Sequence, residues 1–382
     1  MTQMAETVFD SVRQFATVKL KPIARDLDVQ GRFPEELLAD MRSLGLFGLN
    51  YPEEIGGGGL DSVATHRTLT ELAKASAGVA LTLHVHYMAA DVLLRFGTDQ
   101  QKRKYLRKLI AGDCIAAFTI SEGGAGSDTA GISASARPTD RGWLLNGTKY
   151  FCTNGGLANL YLVAFKTNPE AGARGISLFL IEKGAPGFSI GCGEEKMGCR
   201  SSVTTGLIFD NCFVPAENLV GQQDDGFRAA MFGLTGGRLG MASMGLGIAE
   251  AALSAAAEYA NKRQAFGKPL TALYAIQEML ADMYVALEGS RLVVHSTAAL
   301  RDTGRDCSFE TSVAKIHTAR AAGEICHKAL QIMGGHGYMK HNPVERYVRD
   351  ARLMDIGVGA SEVLKMVVGS TVARNYATKP PG

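Results

Sequence analysis

The sequence predicts a mostly α-helical protein interrupted by one central β domain. It falls into three segments: a helical domain over residues 1–114, a β domain over 115–225 and a helical bundle over 226–382. Three observations predict this. Apolar residues recur at helical spacing through Val8, Val12, Phe15 and Val18. From about Cys114 to Val220, short apolar runs alternate with Gly, Asn, Asp and Pro, the punctuation of strands and turns. From about Gly226 onward, alanine-rich runs return that suit long packed helices.

Each element follows in order. Pro34-Glu35-Glu36-Leu37-Leu38 places proline and acids at a helix start, where a missing amide is tolerated and negative charge is favoured. Residues 56–59 are all glycine and read as a loop, and helical spacing resumes at Ser62. Strands are expected at 114–120, 143–146, 160–165, 176–181 and 206–209. Helices are expected at 241–261, 276–302 and 308–333, the last stopped by Gly334-Gly335. A bundle is the simplest packing of these three. The tail Lys379-Pro380-Pro381-Gly382 reads as frayed.

Composition excludes several classes. Apolar residues make up 46% and charged residues 20%, as in ordinary globular proteins, so fibrous and wholly disordered chains are out. Lys+Arg of 40 against Asp+Glu of 38 gives a formal charge of +2, so no nucleic-acid partner is expected. The N-terminal stretch mixes both charge signs with apolar residues and lacks a signal-peptide pattern. No uninterrupted apolar run approaches the ~18 residues of a membrane span, so no membrane partner is expected either. The seven cysteines are scattered, odd in number and without a CxxC pair. They read as reduced thiols of a cytoplasmic protein, with no metal site.

Two strings carry chemistry. The first is Phe118-Thr119-Ile120-Ser121-Glu122-Gly123-Gly124-Ala125-Gly126-Ser127-Asp128. Its glycines let backbone amides approach a phosphate or a flat ring, and its hydroxyls offer donors; a plain glycine-rich turn reads equally well. The second runs from Leu145-Asn146-Gly147-Thr148-Lys149-Tyr150 to Phe151-Cys152-Thr153-Asn154-Gly155-Gly156. Phe151 and Thr153 lie two apart and share a face of a strand, so ring and hydroxyl together suit a planar heterocycle. They equally suit a core ring and a turn residue.

Together the strings resemble the acyl-CoA dehydrogenase family. Arg263-Gln264-Ala265-Phe266-Gly267-Lys268, Gln331-Ile332-Met333-Gly334-Gly335-His336-Gly337 and Arg349-Asp350-Ala351-Arg352-Leu353 extend the match, as do Phe33-Pro34-Glu35-Glu36 and Tyr51-Pro52-Glu53-Glu54. The resemblance spans nearly the whole chain. It implies the acyl-CoA dehydrogenase fold, an N-terminal helical domain, a β-barrel-like middle domain and a C-terminal four-helix bundle. It also implies one FAD per subunit, an acyl-CoA substrate, a homotetramer and an electron-transfer flavoprotein as electron acceptor. By the same resemblance, Phe118, Ile120, Ser121 and Gly126 contact the flavin. Phe151 packs on it, Thr153 bonds near its N5, and Ser127 lies between flavin and substrate. Arg263, Phe266, Gln331, Gly334 and Gly335 hold the FAD of a neighbouring subunit. Gly123, Ala265 and Tyr274 depart from the usual residues and weaken the neighbour-subunit part.

The family's proton acceptor is missing. Its reaction removes an α-proton with a glutamate while hydride leaves the β-carbon. In many members that glutamate lies in a C-terminal string that here reads Ile356-Gly357-Val358-Gly359-Ala360. In isovaleryl-type members it precedes an arginine in the first bundle helix, here Gly237-Arg238. Neither Val358 nor Gly237 takes a proton.

A replacement is sought on the helix that, by resemblance, lines the acyl pocket. Spacings of three and four put Leu81, His84, Met88 (or Tyr87) and Asp91 on one stripe. Asp91 is flanked by Ala89, Ala90, Val92, Leu93 and Leu94, so a desolvated carboxyl with a raised pKa is expected, suited to a base. The plainer account is a salt bridge to Arg95 at i+4. Asp355 is a rival base that pairs equally well with Arg352. His84 would bind substrate or tune Asp91, His336 would be spacing at the FAD, and Arg238 would position CoA or make a structural pair.

A substrate without an α-hydrogen would suit this change. In cyclohex-1-ene-1-carboxyl-CoA the acidic proton lies at the γ-carbon, and a glutamate at the α-position would be a costly buried charge. Losing both glutamates while gaining Asp91 resembles the cyclic-diene-forming members of aromatic and alicyclic acid degradation. The expected reaction is a 1,4-elimination to a conjugated dienoyl-CoA, with benzoyl-CoA as a further product. The alternatives are an ordinary short- or branched-chain or cyclohexanecarboxyl-CoA 1,2-dehydrogenase, or a desulfinase or oxygenase of the same fold.

Overall fold

The computed structural model describes residues 3–377, so the Lys379 to Gly382 tail lies outside the described residues. Helices α1 (Gln3–Phe15) and α2 (Lys21–Gln30) are joined by a π-helical turn. The Pro34 start opens a 3-10 turn, Glu35–Leu37, before α3 (Leu38–Ser43). Helix α4 (Ser62–Ala75) begins where the Asp61 carboxylate accepts the Ala64 amide hydrogen, satisfying an otherwise orphaned donor. Helix α5 (Ala77–Phe96) follows, then the short α6 (Asp99–Gln101) and α7 (Arg107–Ile110).

The β segment holds β1 (Ala116–Thr119), β2 (Ser135–Thr139), β3 (Gly142–Thr153), β4 (Leu160–Lys166), β5 (Ile176–Glu182), β6 (Phe188–Gly193), β7 (Thr204–Pro215) and β8 (Leu219–Val220). They form one sheet in the order β6-β7-β3-β2-β4-β5-β8, with β1 parallel to β4. Strands β2, β6 and β8 lie outside the strands expected from the sequence. Of β2 only Ala136 is buried, and β6 is partly exposed throughout, so their partners rather than their own patterns select them. Trp143, Phe165, Phe179 and Phe209 fill a core of the sheet's own.

The last segment opens with α8 (Gly226–Lys262) and a small hairpin, β9 (Gln264–Ala265) and β10 (Lys268–Pro269). Helices α9 (Tyr274–Asp302), α10 (Ser308–Met333), α11 (Gly335–Tyr338), α12 (Pro343–Ile356) and α13 (Ser361–Asn375) complete it. Gly334, at φ 55, ends α10, whereas Gly335 opens the single turn of α11 rather than extending the stop.

Helices α5 and α8 are long and apolar enough to cross a membrane by length and composition, although neither is an uninterrupted apolar run. Their most apolar windows are 89% and 72% buried inside the fold, so packing accounts for that character. They lie against each other, and α5 also packs on β1, where His86 Nδ1 accepts the Ala116 amide hydrogen at 3.1 Å. Helix α5 is therefore wedged between the sheet and the bundle.

Candidate active site

Two walls make up the candidate site. The first is the turn after β1. Phe118 and Ile120 are buried, Ser121 is half-buried, and Gly126 and Ser127 are exposed. The Tyr150 amide donates to the Ser121 carbonyl at 2.9 Å, bringing this turn to β3. There the β3–β7 register shifts between Lys149 and Cys152, and Phe151 adopts φ 56. Simple pleat alternation does not aim Phe151. A bulge and a left-handed residue do, leaving its ring 66% exposed beside half-buried Thr153.

Beneath this turn lies a buried ion pair that the sequence argument did not single out. Lys149 Nζ sits 2.6 Å from Glu122 Oε1 and donates to the Ile120 carbonyl at 3.1 Å. Glu122 also accepts from the Ser133 amide and hydroxyl and from the Ala134 amide. Burial works against the Glu122 charge, but the Lys149 and Ser133 bonds override it and hold the carboxyl below its usual range. The available signal was a lysine inside an otherwise strand-like run. Asn154, fully buried, ties the same wall to α5 by donating to the carbonyls of Thr82 (2.9 Å) and Ala116 (3.0 Å).

The second wall is the contact of α5 with α8. Gly233, Gly236, Gly237 and Gly240 line one face of α8, at helical spacing. Each faces a large side chain. A Cβ at Gly233 would come within 2.8 Å of Val92, at Gly236 within 2.6 Å of Arg301, at Gly237 within 2.6 Å of Val358, and at Gly240 within 2.1 Å of the His84 ring. Met88 Cε stands 2.9 Å from that same Cβ position at Gly237. Gly237 and Val358, the two places that by resemblance would carry the glutamate, thus abut each other, with Met88 packed beside them. Val358 is itself held at φ 55, unusual for a β-branched residue. Its loop is pinned by fully buried Lys315, which donates to the carbonyls of Asp355 and Gly359.

Asp91 does not pair with Arg95. Its Oδ2 lies 2.5 Å from an Arg301 nitrogen delivered by α9 across Gly236, and its Oδ1 accepts the Tyr51 hydroxyl at 2.8 Å. Nothing in the sequence marks Arg301 for this contact. Asp355 pairs with Arg352 at 2.9 Å and accepts the Ser361 hydroxyl. His84 is buried with Nε2 unpartnered, and burial pushes it down to about 4. Arg238 reaches Ser312 at 3.3 Å, and its Nε lacks a partner.

The remaining predicted cofactor residues form a separate exposed cluster. Phe266, at φ 53, is 90% exposed on the β9–β10 hairpin that follows Arg263, and Gln331, Gly334 and Gly335 are exposed at the end of α10. The Tyr259 and His336 rings, 5.8 Å apart, hold the two segments together. Two bare aromatic rings on left-handed backbone, with open space at Gly124, Gly126, Gly334 and Gly335, suit a large planar cofactor with a phosphate tail. A surface cleft of about 530 Å³ lined by Lys21, Arg25 and Arg349 stands apart from both walls.

Family models for the N-terminal, middle and C-terminal domains of acyl-CoA dehydrogenase match residues 2–113, 117–212 and 224–373. The mitochondrial short-chain specific acyl-CoA dehydrogenase of Rattus norvegicus is 42% identical over 366 residues, covering 95% of this chain and 89% of that one. The butyryl-CoA dehydrogenase structure from Megasphaera elsdenii superposes with a TM-score of 0.96 at 38% identity, covering 98% and 99% of the two chains. A chain from the structure of the electron transferring flavoprotein of Acidaminococcus fermentans gives a TM-score of 0.96 at 37% identity, covering 98% and 99%. The chain belongs to the acyl-CoA dehydrogenase family, and it is an FAD-dependent oxidoreductase acting on acyl-CoA.

Proposed function

We propose that this dehydrogenase uses Asp91 as its proton acceptor, and that its substrate is cyclohex-1-ene-1-carboxyl-CoA, oxidised by 1,4-elimination. The observation that carries this reading is the filled space between Gly237 and Val358. Asp91 follows Met88 by three residues on the same helix, about 4.5 Å further along its axis. A base displaced in this way suits a proton beyond the α-carbon. The carboxylate takes that proton while the acyl fragment keeps the electron pair. FAD, when bound, supplies the hydride acceptor. Thr153, Phe118 and Phe151 orient and shield the reacting face. Electrons would pass to an electron-transfer flavoprotein, and the working form would be a cytoplasmic homotetramer.

A second reading is a short-chain 1,2-dehydrogenase. The names of the relatives favour it over the cyclic substrate, since they are short-chain and butyryl-CoA enzymes. It requires an α-base that neither Gly237 nor Val358 supplies. Anaerobic flavin bleaching with butyryl-CoA, cyclohexanecarboxyl-CoA and cyclohex-1-ene-1-carboxyl-CoA separates the two. We expect fast bleaching with the cyclic enoyl thioester alone, a product two hydrogens lighter, and loss of bleaching in Asp91→Asn. Fast bleaching with butyryl-CoA would establish the second reading, and with cyclohexanecarboxyl-CoA a 1,2-dehydrogenase of the saturated ring.

A further inference from the structure

We propose that Tyr51 and Arg301 position Asp91 for proton transfer, and that the Tyr51 hydroxyl switches acceptor from Asp91 to the Tyr87 carbonyl when Asp91 becomes protonated. This inference rests on the reading of Asp91 as the base. Three parts of the chain build the arrangement: the loop before α4 brings Tyr51, α5 brings Asp91 and Tyr87, and α9 brings Arg301. In the ionised state each Asp91 oxygen has one donor, Arg301 on Oδ2 at 2.5 Å and the Tyr51 hydroxyl on Oδ1 at 2.8 Å. The same hydroxyl lies 3.4 Å from the Tyr87 carbonyl. That carbonyl accepts one bond from the helix, four residues on, and keeps a second lone pair free.

Proton uptake changes what Asp91 needs. A C–H bond of the substrate breaks, an O–H bond forms on the carboxyl, and the electron pair stays with the acyl fragment, whose oxidation is completed by hydride loss to the enzyme's FAD. The new O–H requires an acceptor, and a largely buried donor left without one is costly. The Tyr51 oxygen becomes that acceptor once its own hydrogen turns to Tyr87. Both protonation states are then fully bonded, so the carboxyl passes between them without losing a partner.

The surroundings suit a donor that never gives up its proton. Tyr51 is fully buried, and burial, followed by the Asp91 charge, holds its phenol well above the usual range. Tyr87, on the Asp91 helix, is raised for the same two reasons, and its hydroxyl is engaged by the Leu46 carbonyl. On the Arg301 side, burial keeps His66 and His84 neutral and raises the Cys307 thiol. Arg301 is thus the cation that faces the carboxylate.

The test uses FAD-loaded enzyme and the thioester that bleaches wild-type flavin fastest, with bleaching rate followed against pH. In Tyr51→Phe we expect a loss of about tenfold or more, a displaced acid limb, and a thioester dissociation constant within about twofold of wild type. Arg301→Gln should displace the limb as well, and Arg301→Lys should restore most of it. If Tyr51→Phe keeps the wild-type limb and rate while Asp91→Asn is dead, the switch is wrong and the base reading stands. If Asp91→Asn bleaches like wild type, the base reading falls and takes the inference with it. Should Tyr51→Phe fail to load FAD, the Arg301 pair decides: an unmoved limb in Arg301→Gln overturns the proposal.

Discussion

The turn after β1 and the contact of α5 with α8 are built on opposite plans. The turn is fixed from beneath by a charge pair with every oxygen of Glu122 engaged. The helix contact is carved out by removal. Four glycines on α8 forgo helix propensity, at about 1 kcal/mol each relative to alanine, to admit His84, Met88, Arg301 and Val92. The first wall thus rests on polar bonds that tolerate little change. The second rests on which side chains fill a space, so under the proposed function a few substitutions there would re-aim the chemistry.

The largest expected effect breaks the first wall. Lys149→Met leaves Glu122 buried without its cation and should cost about 3 kcal/mol or more, with weaker FAD retention, measured by urea unfolding and flavin release. Adding Glu122→Gln should recover part of that loss, because the pair and not the lysine alone is responsible.

A pH series probes the helix contact next. Burial holds His84 and His86 down to about 4, and His66 well below its ordinary value. Their unfolded value is about 6.5, so below it the unfolded chain binds protons that the folded chain refuses. Stability is therefore present above about 6.5 and is lost progressively as pH falls toward 4. Asp350 opposes this, since burial pushes it up to about 6 and its burdensome charge is relieved in acid. Three imidazoles against one carboxyl predict a net fall, read as a dropping Tm between neutral pH and pH about 5. A flat profile would place these imidazoles in contact with solvent.

The smallest effect sharpens the glycine argument. Gly237→Ala forces a Cβ against Val358 and Met88 and should cost about 1–3 kcal/mol. The double variant with Met88→Ala should recover much of it. Full tolerance of the single change would show that the space is already open.

Much of the fold was legible because strong local signals agree with it. Helical spacing and alanine content placed α8, α9 and α10, and turn residues separated β1, β3, β4, β5 and β7. Strands β2 and β6 were not read from the sequence: β2 carries no apolar face of its own, and in β6 the alternation of Phe188 and Ile190 is short and broken by Gly191. At the site, the sequence by itself determined two things: that no acid stands at residue 237 or 358, and that one stands at 91. Only tertiary structure decided what Asp91 meets. A helix face fixes which way a carboxyl points, but Tyr51 lies 40 residues before it and Arg301 lies 210 after. The i+4 rule offered Arg95, a neighbour along the helix surface. Packing offered Arg301 instead, because glycine at 236 leaves a guanidinium-sized gap between two helices, and no local spacing records such a gap.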